Sequence, residues 1–141
     1  ATRPVRREET VSSWPLLTNA AFRQANANTL NAIGVVVGQG GNVLALAVLA
    51  QVESTTAGGF FDVSVGEDGA ITPATGCGIA RQKPTVAGAE RQLMAQCSLF
   101  VTVGYHTYQW LERVTSGTAL WAGNFGGVPV FSWFYGTWRE R

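Results

Sequence analysis

The chain has 141 residues, of which 46% are hydrophobic and 13% charged, with a formal net charge of +1. That length supports one core, and the aliphatic and aromatic content excludes a disordered chain. The near-neutral balance excludes binding driven by phosphate neutralisation, so no nucleic-acid partner is expected. A charged fraction about half the usual ~25% requires a surface covered by partners or by a membrane.

Residues 1–15 read as an extended N-terminal arm, with Arg3, Arg6, Arg7, Glu8 and Glu9 charged, Pro4 among them, and little to bury. Such a segment either frays or becomes ordered on a neighbouring subunit. In the second case Arg3, Arg6 and Arg7 pair with carboxylates and Trp14 anchors the arm, because Arg and Trp are favoured at such contacts.

Residues 16–141 read as one β-sandwich domain. Strand-length pieces at 28–37, 43–53, 60–65, 70–72, 78–82, 91–103, 107–115, 119–121 and 128–138 alternate with Gly-rich turns, among them Gly40-Gly41-Asn42 and Ser116-Gly117. Short strands with such punctuation indicate a sandwich or barrel. Segment 16–30 carries good helix formers but holds no 3.6-residue period, so it reads as strand or strand approach, as does 89–95. No charge lies between Arg23 and Glu53, yet Gly38-Gln39-Gly40-Gly41-Asn42 splits this run into 33–37 and 43–50. Each half is too short to cross a bilayer as a helix, so the run reads as two strands buried on both faces, and no membrane partner is expected. The charged start lacks an apolar signal core, and there is no Asn-x-Ser/Thr sequon. Asp68-Gly69 supplies the positive φ of a tight hairpin, which places a strand at 70–72 beside 60–65. Along 107–115, Tyr108, Trp110 and Val114 share one face, with Gln109, Leu111 and Arg113 opposite.

The chemistry of a catalytic centre is sparse. His106 is the one histidine, and Asp62 or Asp68 could orient it, but no Gly-x-Ser-x-Gly elbow supplies a nucleophile. Cys97 lies in an apolar run, where a thiol is inert. His106 therefore reads as a surface or interface residue, and no catalytic residue is assigned. Glu67 and Asp68, even joined by Asp62, lack calcium-loop spacing, and the glycines of 34–41 lack the Lys-Ser/Thr of a phosphate loop. No metal and no cofactor are expected. Cys77 and Cys97 read as two small buried side chains, with a single bridge between neighbouring strands as the alternative.

The positive signal is aromatic. Trp110, Trp121, Trp133 and Trp138, with Phe125, Phe131, Phe134 and Tyr135, crowd the last third of the chain. Such a cluster serves as sandwich core, as a subunit contact or as a stacking platform for sugars. Across 128–135 both alternate faces are apolar, whereas a two-layer sandwich covers one. The other face must meet a partner, which makes Phe131, Trp133 and Tyr135 candidate partner-binding residues beside the arm's Arg3, Arg6, Arg7 and Trp14, and makes the protein a homo-oligomer.

The stretch GYHTYQWLERVTSGTA at 104–119 resembles a pattern in small β-sandwich domains of phage virion proteins: Gly and Thr-Tyr open a strand, an aromatic follows, then Arg-Val and a Ser-Gly-Thr turn. The preceding order fits, with a long apolar strand at 43–52, a Ser/Thr/Gly loop, a strand at 60–65 and a long strand at 93–103. The resemblance covers about residues 16–138 and is to jelly-roll heads of C1q/TNF-like shape; the Trp/Phe-rich end and the charged arm depart from it. It implies an all-β, jelly-roll-like antiparallel β-sandwich with an extended N-terminal arm, and a non-enzymatic structural virion protein that forms a homotrimer. Within that class it implies a capsid decoration (cement) protein on the outer capsid surface, its arm bound to the major capsid protein. The alternative is the receptor- or glycan-binding head of a tail fibre or spike.

Overall fold

The structure, a computed structural model, describes residues 2–123 and 132–139. Nine strands follow in chain order: β1 (Thr2–Glu8), β2 (Ser13–Gln24), β3 (Ala32–Val37), β4 (Asn42–Ser54), β5 (Phe61–Glu67), β6 (Ala80–Gln82), β7 (Glu90–Val101), β8 (Gly104–Ala122) and β9 (Trp133–Arg139). A 3-10 turn, Ala25–Ala27, separates β2 from β3. Among the described residues no helix is long and apolar enough to cross a membrane.

All strand pairs are antiparallel and fall into two layers. One layer runs β1-β9-β4-β7. In the other, β2 and β3 flank β8, which pairs on its far side with β5, and β5 with β6. The layers join where Gln51–Ser54 of β4 pair with Ala119–Ala122 of β8. Strand periodicity explains the core. Leu44, Leu46, Val48, Ala50 and Val52 of β4 and Leu93, Ala95, Leu99 and Val101 of β7 point inward from the first layer, to meet Val63, Val65, Tyr108, Trp110 and Trp121 of the second. This is the antiparallel β-sandwich expected from the alternation and turn spacing, in the jelly-roll-like form that the resemblance implied.

Several local expectations are corrected. The segment read as a free arm is strand β1, paired along its length with β9, and β2 runs through the boundary drawn at residue 15. Trp14 is a core residue, 2% exposed, its ring edge-on to Trp110 at 5.7 Å between centroids. It is therefore not available as a surface anchor. Segment 16–30 is strand as far as Gln24, but 28–31 is turn rather than the start of β3.

The hairpin drawn after Asp68-Gly69 stops at its turn. Both residues take the left-handed conformation, at φ 50° and 82°, yet 70–72 forms no strand. The chain instead loops away, and a Cys77–Cys97 disulfide fastens this loop to β7 before β6 pairs with β5. The cysteines are thus bridged, the alternative to two separate buried thiols. Finally, 107–115 and 119–121 belong to one strand, β8. It passes through Ser116-Gly117, where Gly117 has φ 72° and a Cβ would meet the Thr56 side chain. A glycine that reads as a turn here permits a local irregularity inside a continuous strand.

Candidate assembly surface

The outward side of the β1-β9-β4-β7 layer is assembled by cross-strand register. Trp133 lies opposite Leu49, which lies opposite Met94; Tyr135 opposite Ala47 and then Gln96; Thr137 opposite Ala45 and then Ser98; Val43 opposite Phe100. No residue from 43 to 51, from 92 to 100 or from 133 to 137 is charged. Met94 is 51% exposed and Phe100 77%, while Trp133 and Tyr135 are half-buried. The small side chains of Ala45, Ala47 and Ser98 leave an open groove of about 540 Å³, bordered by Tyr135, Thr137 and Gln96.

The aromatics along this groove are held in place. Trp133 and Tyr135 pack edge to face at 5.9 Å, with their planes 85° apart. The Tyr135 hydroxyl lies 3.9 Å from Met94 Sδ across the groove. Arg6, opposite Tyr135 on β1, sets its guanidinium 4.4 Å from the centre of the Trp133 ring and pairs with Glu8. Rigid aromatics with a cation stacked at the edge, around an uncharged floor, have the composition of a protein contact centre with its polar rim.

The outward side of the other layer exposes Val36 and Tyr105 where β3 pairs with β8, but differs in kind where β5 pairs with β6 and β8. Asp62 is buried between Arg81, at 2.7 and 2.9 Å, and Arg113, at 2.8 and 2.6 Å. Phe60 lies under Arg81 and Phe22 under Arg113, at 4.4 and 4.2 Å. Burial would raise the Asp62 carboxyl, but the two guanidiniums outweigh it and hold the group below its ordinary value. This face satisfies its own charges; the first layer leaves apolar surface without cover inside the protomer.

Of the expected partner-binding residues, Arg6, Trp133 and Tyr135 come together on the groove side. Arg7 points inward from β1, with its Nε buried and unpartnered among the described residues. Trp14 is in the core, where its indole N–H donates to Glu112 Oε2 at 2.7 Å. Phe131 lies outside the described residues, as does the side chain of Arg3. The floor residues Ala45 and Ala47 were not singled out from sequence. Their signal was present, since 43–50 is apolar at odd and even positions alike.

His106 lies beside Asp68, Nδ1 to Oδ2 at 3.1 Å, while Asp62 is committed to the arginines. Its Nε2 is 3.2 Å from both the carbonyl oxygen and the hydroxyl of Thr102. Cys97, bound to Cys77, offers no thiol.

No protein-family model matches the chain, and no curated protein sequence does. Solved structures do match. One is a TNF protein, Eiger, from S. frugiperda, at a TM-score of 0.57 and 10% sequence identity, the match covering 99% of this chain and 93% of that one. At that identity the likeness is one of fold, and it spans nearly all of both chains. This protein has a TNF-like jelly-roll fold, with an uncharged, aromatic-edged groove on its β1-β9-β4-β7 face.

Proposed function

We propose that the protein is a non-enzymatic assembly subunit that forms a homotrimer through the outer face of the β1-β9-β4-β7 layer, and that the trimer is a decoration protein on the outer surface of a phage capsid. The observation that carries the assembly reading is the uncharged groove, with Trp133, Tyr135, Met94 and Phe100 around a floor of alanines. Burying such a face gains about 25 cal/mol per Å² of apolar area and strands no charge. The trimer and the virion setting rest on the resemblance of 104–119 to phage β-sandwich domains and on the TNF-like architecture. In this reading the copies bind assembled shells and, by mass action, favour the assembled state.

Light scattering tests the assembly step. The wild-type chain is expected at three times its 15.0 kDa mass. Ala47→Arg, which sets a long cation on the groove floor, is expected at 15.0 kDa with an unchanged circular dichroism spectrum. A wild-type protein that stays monomeric at tens of micromolar overturns the assembly reading. Co-sedimentation with undecorated phage heads tests the setting; no binding to heads, together with saturable binding to a glycan, would favour a receptor-binding head.

A further inference from the structure

We infer that Glu67, Asp68 and His106 form a divalent-metal site, of the class that takes zinc, at the end of the sandwich where β5 turns away and β8 begins. The three side chains each offer one ligand atom, and those atoms all lie within 4.8 Å of one another. His106 is 15% exposed at its side chain, against 39% for Glu67 and 52% for Asp68, so the site is half-sunk with its carboxylates open to solvent.

The convergence of the three ligand atoms carries the inference. His106 Nε2 lies 3.2 Å from both the carbonyl oxygen and the hydroxyl of Thr102, so it can donate to the first or accept from the second. Nδ1 faces Asp68 Oδ2 at 3.1 Å and Glu67 Oε1 at 3.9 Å. With Nε2 donating to the carbonyl, the Nδ1 lone pair and the two carboxylate oxygens surround one point, which a cation would occupy; with Nε2 accepting from the hydroxyl, Nδ1–H donates to Asp68 alone. A backbone carbonyl fixing the tautomer of a ligating histidine is the usual outer support of a metal-bound imidazole.

Both carboxylates are held as well. The Thr107 N–H donates to Asp68 Oδ1 at 2.9 Å, leaving Oδ2 toward the ring, and the Tyr108 hydroxyl donates to Glu67 Oε1 at 3.0 Å. These supports come from β8, the strand that carries His106, so the ligands keep their spacing as one unit. Charge points the same way. Asp62 and Glu112 are each neutralised by arginine, whereas among the described ion pairs Glu67 and Asp68 meet only His106. Glu67 and Asp68 together bring two carboxylates, the complement of a divalent ion. One imidazole nitrogen with two carboxylate oxygens suits zinc and its neighbours, the remaining positions going to water. The spacing was not legible in sequence, because His106 is 38 residues beyond Asp68 and meets it only through the β5-β8 pairing.

The chain has no other histidine and no free cysteine, so its response to zinc is readable at this site. The chelator-treated full-length protein, titrated with zinc at pH 7.5 in a calorimeter, is expected to take one ion per chain with saturation below millimolar zinc. His106→Gln and Asp68→Asn, each checked for an unchanged circular dichroism spectrum, are expected to bind at least tenfold more weakly. In the wild type, imidazole ¹⁵N resonances are expected to show Nε2 protonated and Nδ1 shifted by metal on zinc addition. No saturable heat, unchanged affinity in His106→Gln, or an Nδ1 that keeps a proton in excess zinc would each overturn the site; the last would mean that a proton alone bridges the ring to Asp68. None of these readouts depends on oligomeric state, so the site and the assembly surface stand or fall separately.

Discussion

Glu112 shows how a single side chain organises one end of the sandwich. Its carboxylate is fully buried, accepting from Trp14 Nε1 at 2.7 Å, Arg23 Nε at 2.8 Å and the Asn26 N–H at 3.1 Å. Burial pushes its pKa from 4.5 up to about 7, and the donors limit the rise. A folded-state value above the unfolded one means the native protein holds a proton that the unfolded chain has released. Stability contributed by Glu112 is therefore full below about 4.5, falls as pH rises toward 7, and is flat above. Denaturant titrations at pH 5 and pH 8 are expected to show this loss in the wild type and a smaller one in Glu112→Gln. Glu112→Ala, which strands the Trp14 and Asn26 donors, is expected to cost roughly 2–4 kcal/mol at pH 5 and less at pH 8. Asp62 has the opposite sign, because its carboxyl is held below the ordinary value and its contribution is lost only in acid.

None of the Glu112 network can be read from the chain. Trp14 and Glu112 are separated by 98 positions, and Trp14 between Ser13 and Pro15 has the local character of an exposed anchor. That Trp133 and Tyr135 lie on the outward side of β9 was legible because their strand is apolar on both alternations, a property local to 128–135.

At the scale of elements, the strands followed from alternation and turn residues, and the main departures occur where a distant tether overrides local preference. Asp68-Gly69 makes the turn its residue types demand, with the Asp68 N–H donating to the Thr107 carbonyl at 2.7 Å. The returning strand is absent because residues 70–79 are drawn toward β7, where Cys77 meets Cys97 and the Gly78 N–H donates to the Gln96 carbonyl. The bridge joins residues 20 apart and links the β5-β6 edge of one layer to β7 of the other. Replacing both cysteines by serine is expected to lower stability by about 3 kcal/mol in denaturant, the magnitude for a closed loop of this size. Reduction of the wild type is expected to give the same loss, while leaving the double variant unchanged.

The first strand is also an element decided by its neighbour. Residues 2–8 are mostly polar and charged, without strand alternation, yet β9 offers a free edge and β1 fills it. The following turn is part of the body: Glu9 is 1% exposed and accepts from Asn31 at 2.8 Å and from Asn28 at 3.0 Å. A truncation that tests β1 in shell binding must therefore end before Glu9. Removal of residues 1–8 is expected to leave a cooperative unfolding transition and to weaken co-sedimentation with phage heads. Removal of residues 1–14 takes out Glu9 and Trp14 and is expected to abolish the folded state. A full retention of shell binding after the shorter deletion would remove β1 from that contact.

For the molecule as a whole, low charge, a single core and an all-β architecture were decided by composition and period. Apolar residues every second position bury one sheet face whatever the partner sheet, and Gly-rich turns limit strand length. Apolar residues on both alternations of 43–50 likewise placed uncharged side chains on the outward face of β4. Register and layer order were decided only in three dimensions. They set Ala45, Ala47, Tyr135, Met94 and Phe100 on one open face, buried Trp14, joined Cys77 to Cys97, and brought His106 to Glu67 and Asp68. The physical reason is that side-chain period is a local property of the chain, whereas which strands become neighbours depends on contacts between segments far apart in sequence, and the site chemistry follows from those neighbours.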